Sequence, residues 1–258
     1  ADFYLQTEHL RAKELTLRAA DIARRIGDGV REGHALRRQG FLARLSHDYA
    51  ASRTALDAAT QRFRAAGLIV EAATCLHILS LTLGDLGEYE AALKASAEAL
   101  ALSRLAGDRR QEGISLRRLA IVHLERLQEA EALPFAEAAL ALLRAVGDRT
   151  EECHALNVLG VIHAWLNHPV ESETFFRASL ALAEETDSGT SILFAIENLI
   201  FFHYGWRGEY TAAISFIEIA GGWQLGTKPL HSELIERMLR EVRKVRLSPA
   251  SMETLAII

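Results

Sequence analysis

The stretch Gly87–Leu100, GEYEAALKASAEAL, carries Ala92, Ser96 and Ala99 at spacings of four and three residues. Those spacings set the three small side chains on one side of a helix. A face kept this shallow is useful where another helix must approach closely. The same offsets return every forty residues: Ser52, Leu56 and Ala59 upstream, then Ala132, Ala136 and Ala139, then Ser172, Phe176 and Ser179. Gly27, Gly67, Gly107 and Gly147 keep the same interval, and Asp28, Asp108 and Asp148 follow three of them. Ahead of the small faces stand Leu76 with Leu79, Leu116 with Leu119 and Leu156 with Leu159, each pair followed by Ser80, Ala120 or Gly160. Self-similarity at a fixed period of this size is the mark of a repeat architecture.

Each unit reads as two helices. Asp108 suits an N-cap, and from about Arg110 to Arg126 the residues Ile114, Leu116, Leu119, Val122 and Leu124 fall at helical offsets. A turn is expected at LQEAE, and a second helix from about Glu131 to Val146 ends at Gly147, a residue free to take the left-handed conformation that closes a helix.

The chain has 258 residues, half of them hydrophobic, four prolines and a formal charge of −5. It can bury a long core, and it lacks the basic excess expected of a nucleic-acid binder. Cys75 and Cys153 lie in apolar helical surroundings two units apart and read as reduced core residues. The sequence carries no signal peptide and no run of eighteen apolar residues, so a cytoplasmic setting without a membrane span is the default expectation.

The pattern Leu-x-x-Leu-small, then Gly-Glu-Tyr, then small residues at four and three, fullest from Leu76 to Leu100, resembles the tetratricopeptide repeat. That resemblance implies an all-α, right-handed superhelical solenoid of antiparallel helix pairs. The units depart from the family pattern in three ways. They run to forty residues rather than thirty-four, carry Leu36, Leu76, Leu116 or Leu156 where an aromatic is usual, and end in Gly-Asp instead of a proline. Lengthened units of this kind resemble those of bacterial STAND-type regulators of the maltose-regulon-activator class, and those of spindle-orientation adaptors.

A partial repeat is placed at 1–27, full repeats at 28–67, 68–107, 108–147 and 148–187, and a looser one at 188–223 containing GEYTAAISFIEIA. Residues 224–258 read as C-terminal helices, a further or capping repeat cut short, with a new helix starting at Ser248-Pro249. The abrupt ends suggest a segment of a longer protein.

Catalytic and metal signatures are missing from the sequence: it has no HExxH and no nucleophile elbow, so no enzyme, cofactor or metal is expected. GGWQLGTK lacks the Gly-Lys-Ser/Thr order that a phosphate loop needs. His123 and His163 are two potential ligands without a third, and read as packed histidines. A row of polar residues is more informative. Arg37, His77, Arg117 and Asn157 follow the first leucine of each pair, and in the family this position faces the concave groove. Asn bonds main chain on both sides and Arg grips a carboxylate at two points, so the row suits an extended, acidic or carboxylate-bearing peptide. An ordinary solvated helix face would produce the same polarity. His34, His154, Trp165 and Trp206 are secondary candidates, the tryptophans as stacking or inter-repeat packing residues. The expected function is a protein- or peptide-binding sensor module of a larger signalling or transcription-regulatory protein, with a passive scaffold as the alternative.

Overall fold

The computed structural model describes residues 2–186 and 188–201. They form helices α1 (Asp2–Arg25), α2 (Gly29–Leu45), α3 (Tyr49–Ala65), α4 (Ile69–Asp85), α5 (Tyr89–Leu105), α6 (Arg109–Glu125), α7 (Glu129–Val146), α8 (Arg149–Trp165), α9 (Pro169–Glu185) and α10 (Gly189–Phe201). The described residues contain no strand. The chain divides into two compact units, residues 1–147 and 148–258. In the first, each helix from α1 to α7 packs on the next, and the even-numbered helices also meet, α2 on α4 and α4 on α6. In the second, α8, α9 and α10 pack on one another. Trp206, GEYTAAISFIEIA and all of 224–258 lie outside the described residues.

The turns explain why the period is so regular. At the end of α5 the Gly107 N–H donates to Arg104 O at 3.1 Å and the Asp108 N–H to Ser103 O at 3.0 Å, while Gly107 has φ +67°. This pair of bonds satisfies carbonyls that the helix end would otherwise orphan. Asp108 then caps α6, its Oδ1 accepting from Gln111 N at 2.9 Å. Asp28, Asp48 and Asp148 cap α2, α3 and α8 in the same way, whereas Leu68 heads α4 without a side-chain cap. The turn inside each unit uses the left-handed region as well. Gly87 has φ +75°, and its equivalents His47, Leu127 and Asn167 reach 58°, 57° and 59° without the freedom of glycine. These tight turns are shorter than the sequence suggests. Helix α7 starts at Glu129 instead of Glu131, because Gln128 already occupies the N-cap position.

The shallow faces are the seams between paired helices, and their two sides compensate in size. A Cβ added to Gly40 of α2 would stand 2.5 Å from Leu56 Cγ of α3, and one added to Gly160 of α8 would stand 2.5 Å from Phe176 Cδ1 of α9. Where the odd-numbered helix carries the small Ser96 or Ala136, the even-numbered helix carries Ser80 or Ala120. Ser80 uses its hydroxyl, which meets Ser96 Oγ at 2.7 Å. A second layer repeats the arrangement. Gly33 lies beneath Phe63 and Gly113 beneath Leu143, with added Cβ atoms 3.0 and 2.8 Å from those side chains. Close packing at interior density leaves no other solution, since a large residue on both sides would push the helices apart.

Charge pins the start of the first unit. Glu32 on α2 is buried, with Oε1 2.9 Å from Arg24 Nε of α1 and Oε2 2.8 Å from Arg62 Nε of α3. Burial pushes its carboxyl upward, but the two guanidinium partners outweigh that and hold it below the usual value.

Candidate functional site

The polar row predicted from sequence divides once its surroundings are known. On α4, His77 is 7% exposed and shares a 2.7 Å hydrogen bond through Nε2 with Ser115 Oγ of α6. On α8, Asn157 is fully buried. Its Nδ2 donates to Ser179 Oγ of α9 at 2.7 Å and its Oδ1 accepts from Asn198 of α10 at 3.2 Å. The expectation of four open rungs is therefore corrected at these two: a buried amide or imidazole must be hydrogen-bonded, and here helix neighbours supply the partners. Arg37 and Arg117 are half-buried.

Arg37 belongs to a cleft. Between α1 and α2 lies an opening of about 620 Å³, with Leu15 and Ile22 of α1 and Ile26 of the turn after it on one side, and Arg31, His34 and Arg37 of α2 among those on the other. The three aliphatic side chains are solvent-exposed. Arg38 also lines the opening. The Arg37 guanidinium sits 5.9 Å from the centre of the Phe63 ring, and His34 meets the same ring edge-on at 4.9 Å. Phe63, fully buried, thus orients both side chains. Neither Arg37 nor Arg38 is in an ion pair among the described residues, and Arg31 is paired only locally, with Asp28 at 3.3 Å. Arginine without a carboxylate partner beside exposed aliphatic surface is an arrangement that can take an acidic, apolar segment.

The secondary candidates are scattered. His154 is half-buried on α8, 3.6 Å from Glu151 Oε2 and 3.5 Å from Ser191 Oγ. Trp165 is 51% exposed at the end of the same helix, and Trp206 lies outside the described residues. His123 stacks on Phe135 at 5.4 Å and His163 on Phe175 at 5.2 Å, so these histidines serve packing. No group of three metal-ligating side chains occurs among the described residues. Both thiols are buried, and burial raises their pKa values, that of Cys75 to about 12.

Two features escaped the sequence reading. The exposed aliphatic face of α1 is one, although Leu15, Ile22 and Ile26 fall at spacings of seven and four that mark a helix stripe. The other is Arg118 of α6, 5% exposed, with Nε and Nη2 lacking hydrogen-bond partners among the described residues. Burial lowers its pKa to about 10, Arg117 adds to that, and Glu125 works against it. It stays cationic at neutral pH beside the pair of Arg44 and Asp85, which are 2.8 Å apart. Nothing in its flanking sequence signals a buried cation.

Comparison with known proteins follows the same lines. Residues 72–106 match the tetratricopeptide repeat model, and residues 181–258 match the model of segregation and condensation complex subunit ScpB. No curated protein sequence matches the chain. Among solved structures, a Rap protein complexed with competence and sporulation factor aligns over 97% of this chain and 69% of its own at 13% identity, TM-score 0.72. The Rap conjugation gene regulator of plasmid pLS20, in complex with the Phr* peptide, aligns over 96% and 73% at 16% identity, TM-score 0.62. BtubC from P. vanneervenii aligns over 93% and 94% at 15% identity, TM-score 0.66. The described residues hold no helix long and apolar enough to cross a membrane. Paired helices recurring every forty residues, a tetratricopeptide-repeat match at residues 72–106 and solved neighbours of the same architecture make this a tetratricopeptide-like helical-repeat fold.

Proposed function

We propose that this chain is a peptide- or protein-binding module that holds an acidic, partly aliphatic segment in the cleft between α1 and α2. One observation carries the reading: Arg37 and Arg38, which have no ion-pair partner among the described residues, face an exposed aliphatic wall across about 620 Å³. The aliphatic residues Leu15, Ile22 and Ile26 supply affinity by losing water. The cations, with Arg31 and His34 beside them, select carboxylates and reject basic sequences. Arg117 on α6 is a further contact for a longer segment, and His77, bonded to Ser115, ties α4 to the helix that carries it. The complexes of two neighbours, one with competence and sporulation factor and one with the Phr* peptide, support a peptide ligand by analogy of fold. On this reading the module is the sensing part of a larger signalling or transcription-regulatory protein, as the resemblance to lengthened STAND-type repeats suggests. A scaffold that docks a partner without a switch uses the same cleft.

The test is an array of short peptides of graded charge and hydropathy, with the binders remeasured by fluorescence anisotropy at two salt concentrations. Acidic peptides containing Leu or Ile should dominate, lose affinity at high salt, and fail against Arg37→Glu combined with Arg38→Glu. Binding without acidic preference, or undiminished binding to that double variant, would remove the cleft from consideration.

A further inference from the structure

One position on the odd-numbered helices divides the four full repeats into two kinds. In the third and fourth repeats the position is Phe135 or Phe175, and each ring stacks on the histidine opposite it, at 5.4 and 5.2 Å. In the first repeat the same position is Ala55, opposite Ala43, and in the second it is Ala95, opposite Leu83, where the third and fourth carry His123 and His163. The ring is missing in the second repeat, and a cleft of about 290 Å³ takes its place. Its floor is Leu76, Leu79 and Leu83 of α4 with Ala91 and Ala95 of α5. Its mouth is charged: Asp57 and Arg64 of α3 face Lys94 and Glu98 of α5. Arg64 and Glu98 pair with each other. Asp57 and Lys94 make no ion pair among the described residues.

We infer that this cleft is a socket for an aromatic side chain of a partner protein, presented between a basic residue toward α3 and an acidic residue toward α5. The molecule contains the pattern for the occupant, since its own third and fourth repeats fill the equivalent space with phenylalanine. Charge complementarity sets the flanks: Asp57 receives the basic neighbour and Lys94 the acidic one. Asp57 sits where burial pushes its carboxyl upward and Arg53 only partly offsets this, so an incoming cation gains more there than at an open surface carboxylate. An aromatic ring suits an apolar floor of this kind and prefers a fixed site to water. The socket lies on different helices from the cleft between α1 and α2 and stands or falls independently of it.

The probe is the capped tripeptide acetyl-Arg-Phe-Glu-amide, titrated against the full chain with carbon-13-labelled alanine and leucine methyl groups. A contact of this size should bind at millimolar concentration. The methyls of Ala91, Ala95, Leu79 and Leu83 should shift, and acetyl-Arg-Ala-Glu-amide should leave them in place. Ala95→Phe, which installs the residue of the later repeats, should weaken the probe at least tenfold. Asp57→Asn with Lys94→Gln, both on the surface, should weaken it severalfold and covers the case in which Ala95→Phe fails to fold. Arg37→Glu should leave the probe unaffected, which separates this site from the other cleft. Equal shifts with the alanine probe, full binding in either the Ala95→Phe or the surface variant, or no methyl shift at about 20 mM would each overturn the proposal.

Discussion

The seam between α8 and α9 gives the sharpest test of how these repeats are built. Gly160→Ala adds a Cβ that would stand 2.5 Å from both Cδ1 and Cε1 of Phe176 and 3.0 Å from its Cγ. That is about 1 Å inside an ordinary carbon–carbon contact. Phe176 is 2% exposed, so its ring has nowhere to swing. Overpacking of this kind costs about 1–3 kcal/mol, while replacing a helical glycine by alanine returns about 1 kcal/mol. The net change is a loss of about 0–2 kcal/mol. Phe176→Ala alone leaves a cavity and should cost about 3–5 kcal/mol. In the double variant the clash is gone, alanine keeps its helical advantage and fills part of the void. Adding Gly160→Ala to Phe176→Ala should therefore recover about 1 kcal/mol, a reversal of sign. The double variant recreates the Ala120 and Ala136 pairing of the neighbouring repeat. Urea unfolding followed by circular dichroism gives the four stabilities, and hydrogen exchange at α8 and α9 amides locates the change within a repeat protein that need not unfold in one step. Additive effects within about 0.5 kcal/mol would refute size compensation as the rule that pairs these helices.

Further expectations concern single positions. Leu127 is 70% exposed at φ 57°, so Leu127→Gly should relieve strain and raise stability by about 1 kcal/mol in urea unfolding, whereas Gly107→Val should lower it by about 1–2 kcal/mol. Arg118→Ile exchanges a buried cation with unmet N–H groups for the kind of residue found at Ile78 and Val158, and should raise the melting temperature, with a gain of about 1–3 kcal/mol. A lower melting temperature would show that Arg118 has a compensating partner. Cys75, its thiol pushed up to about 12, and Cys153 should both resist a thiol reagent at pH 8 until denaturant is added. Glu32 has a carboxyl held below its unfolded value, so its contribution is present above about pH 4.3 and fades as pH falls through the folded value. Glu32→Gln should flatten acid unfolding in that range, and an unchanged acid limb would show that its two arginine contacts do not form in solution.

By itself the sequence determined the period, the turns and the identity of the seams. Each is a local matter: a glycine that permits φ +67° at residue 107, an aspartate one residue on that caps the next helix, and small residues at spacings of four and three that fall on one face. Only the tertiary structure decided which polar residues reach an open surface. His77 and Arg37 stand at equivalent positions, yet His77 turns inward because Ser115, 38 residues away on α6, offers a hydroxyl, while Arg37 lies over Phe63 at the edge of a cleft. Asn157 is drawn in by Ser179 and Asn198. Helical periodicity sorts residues by face, but whether a polar side chain is buried depends on the partner that a different helix supplies, because an unmet buried donor costs more than a solvated one. The same holds for Ala95. An alanine in a helix is unremarked in one dimension, yet here it borders a cleft where the third and fourth repeats place a ring.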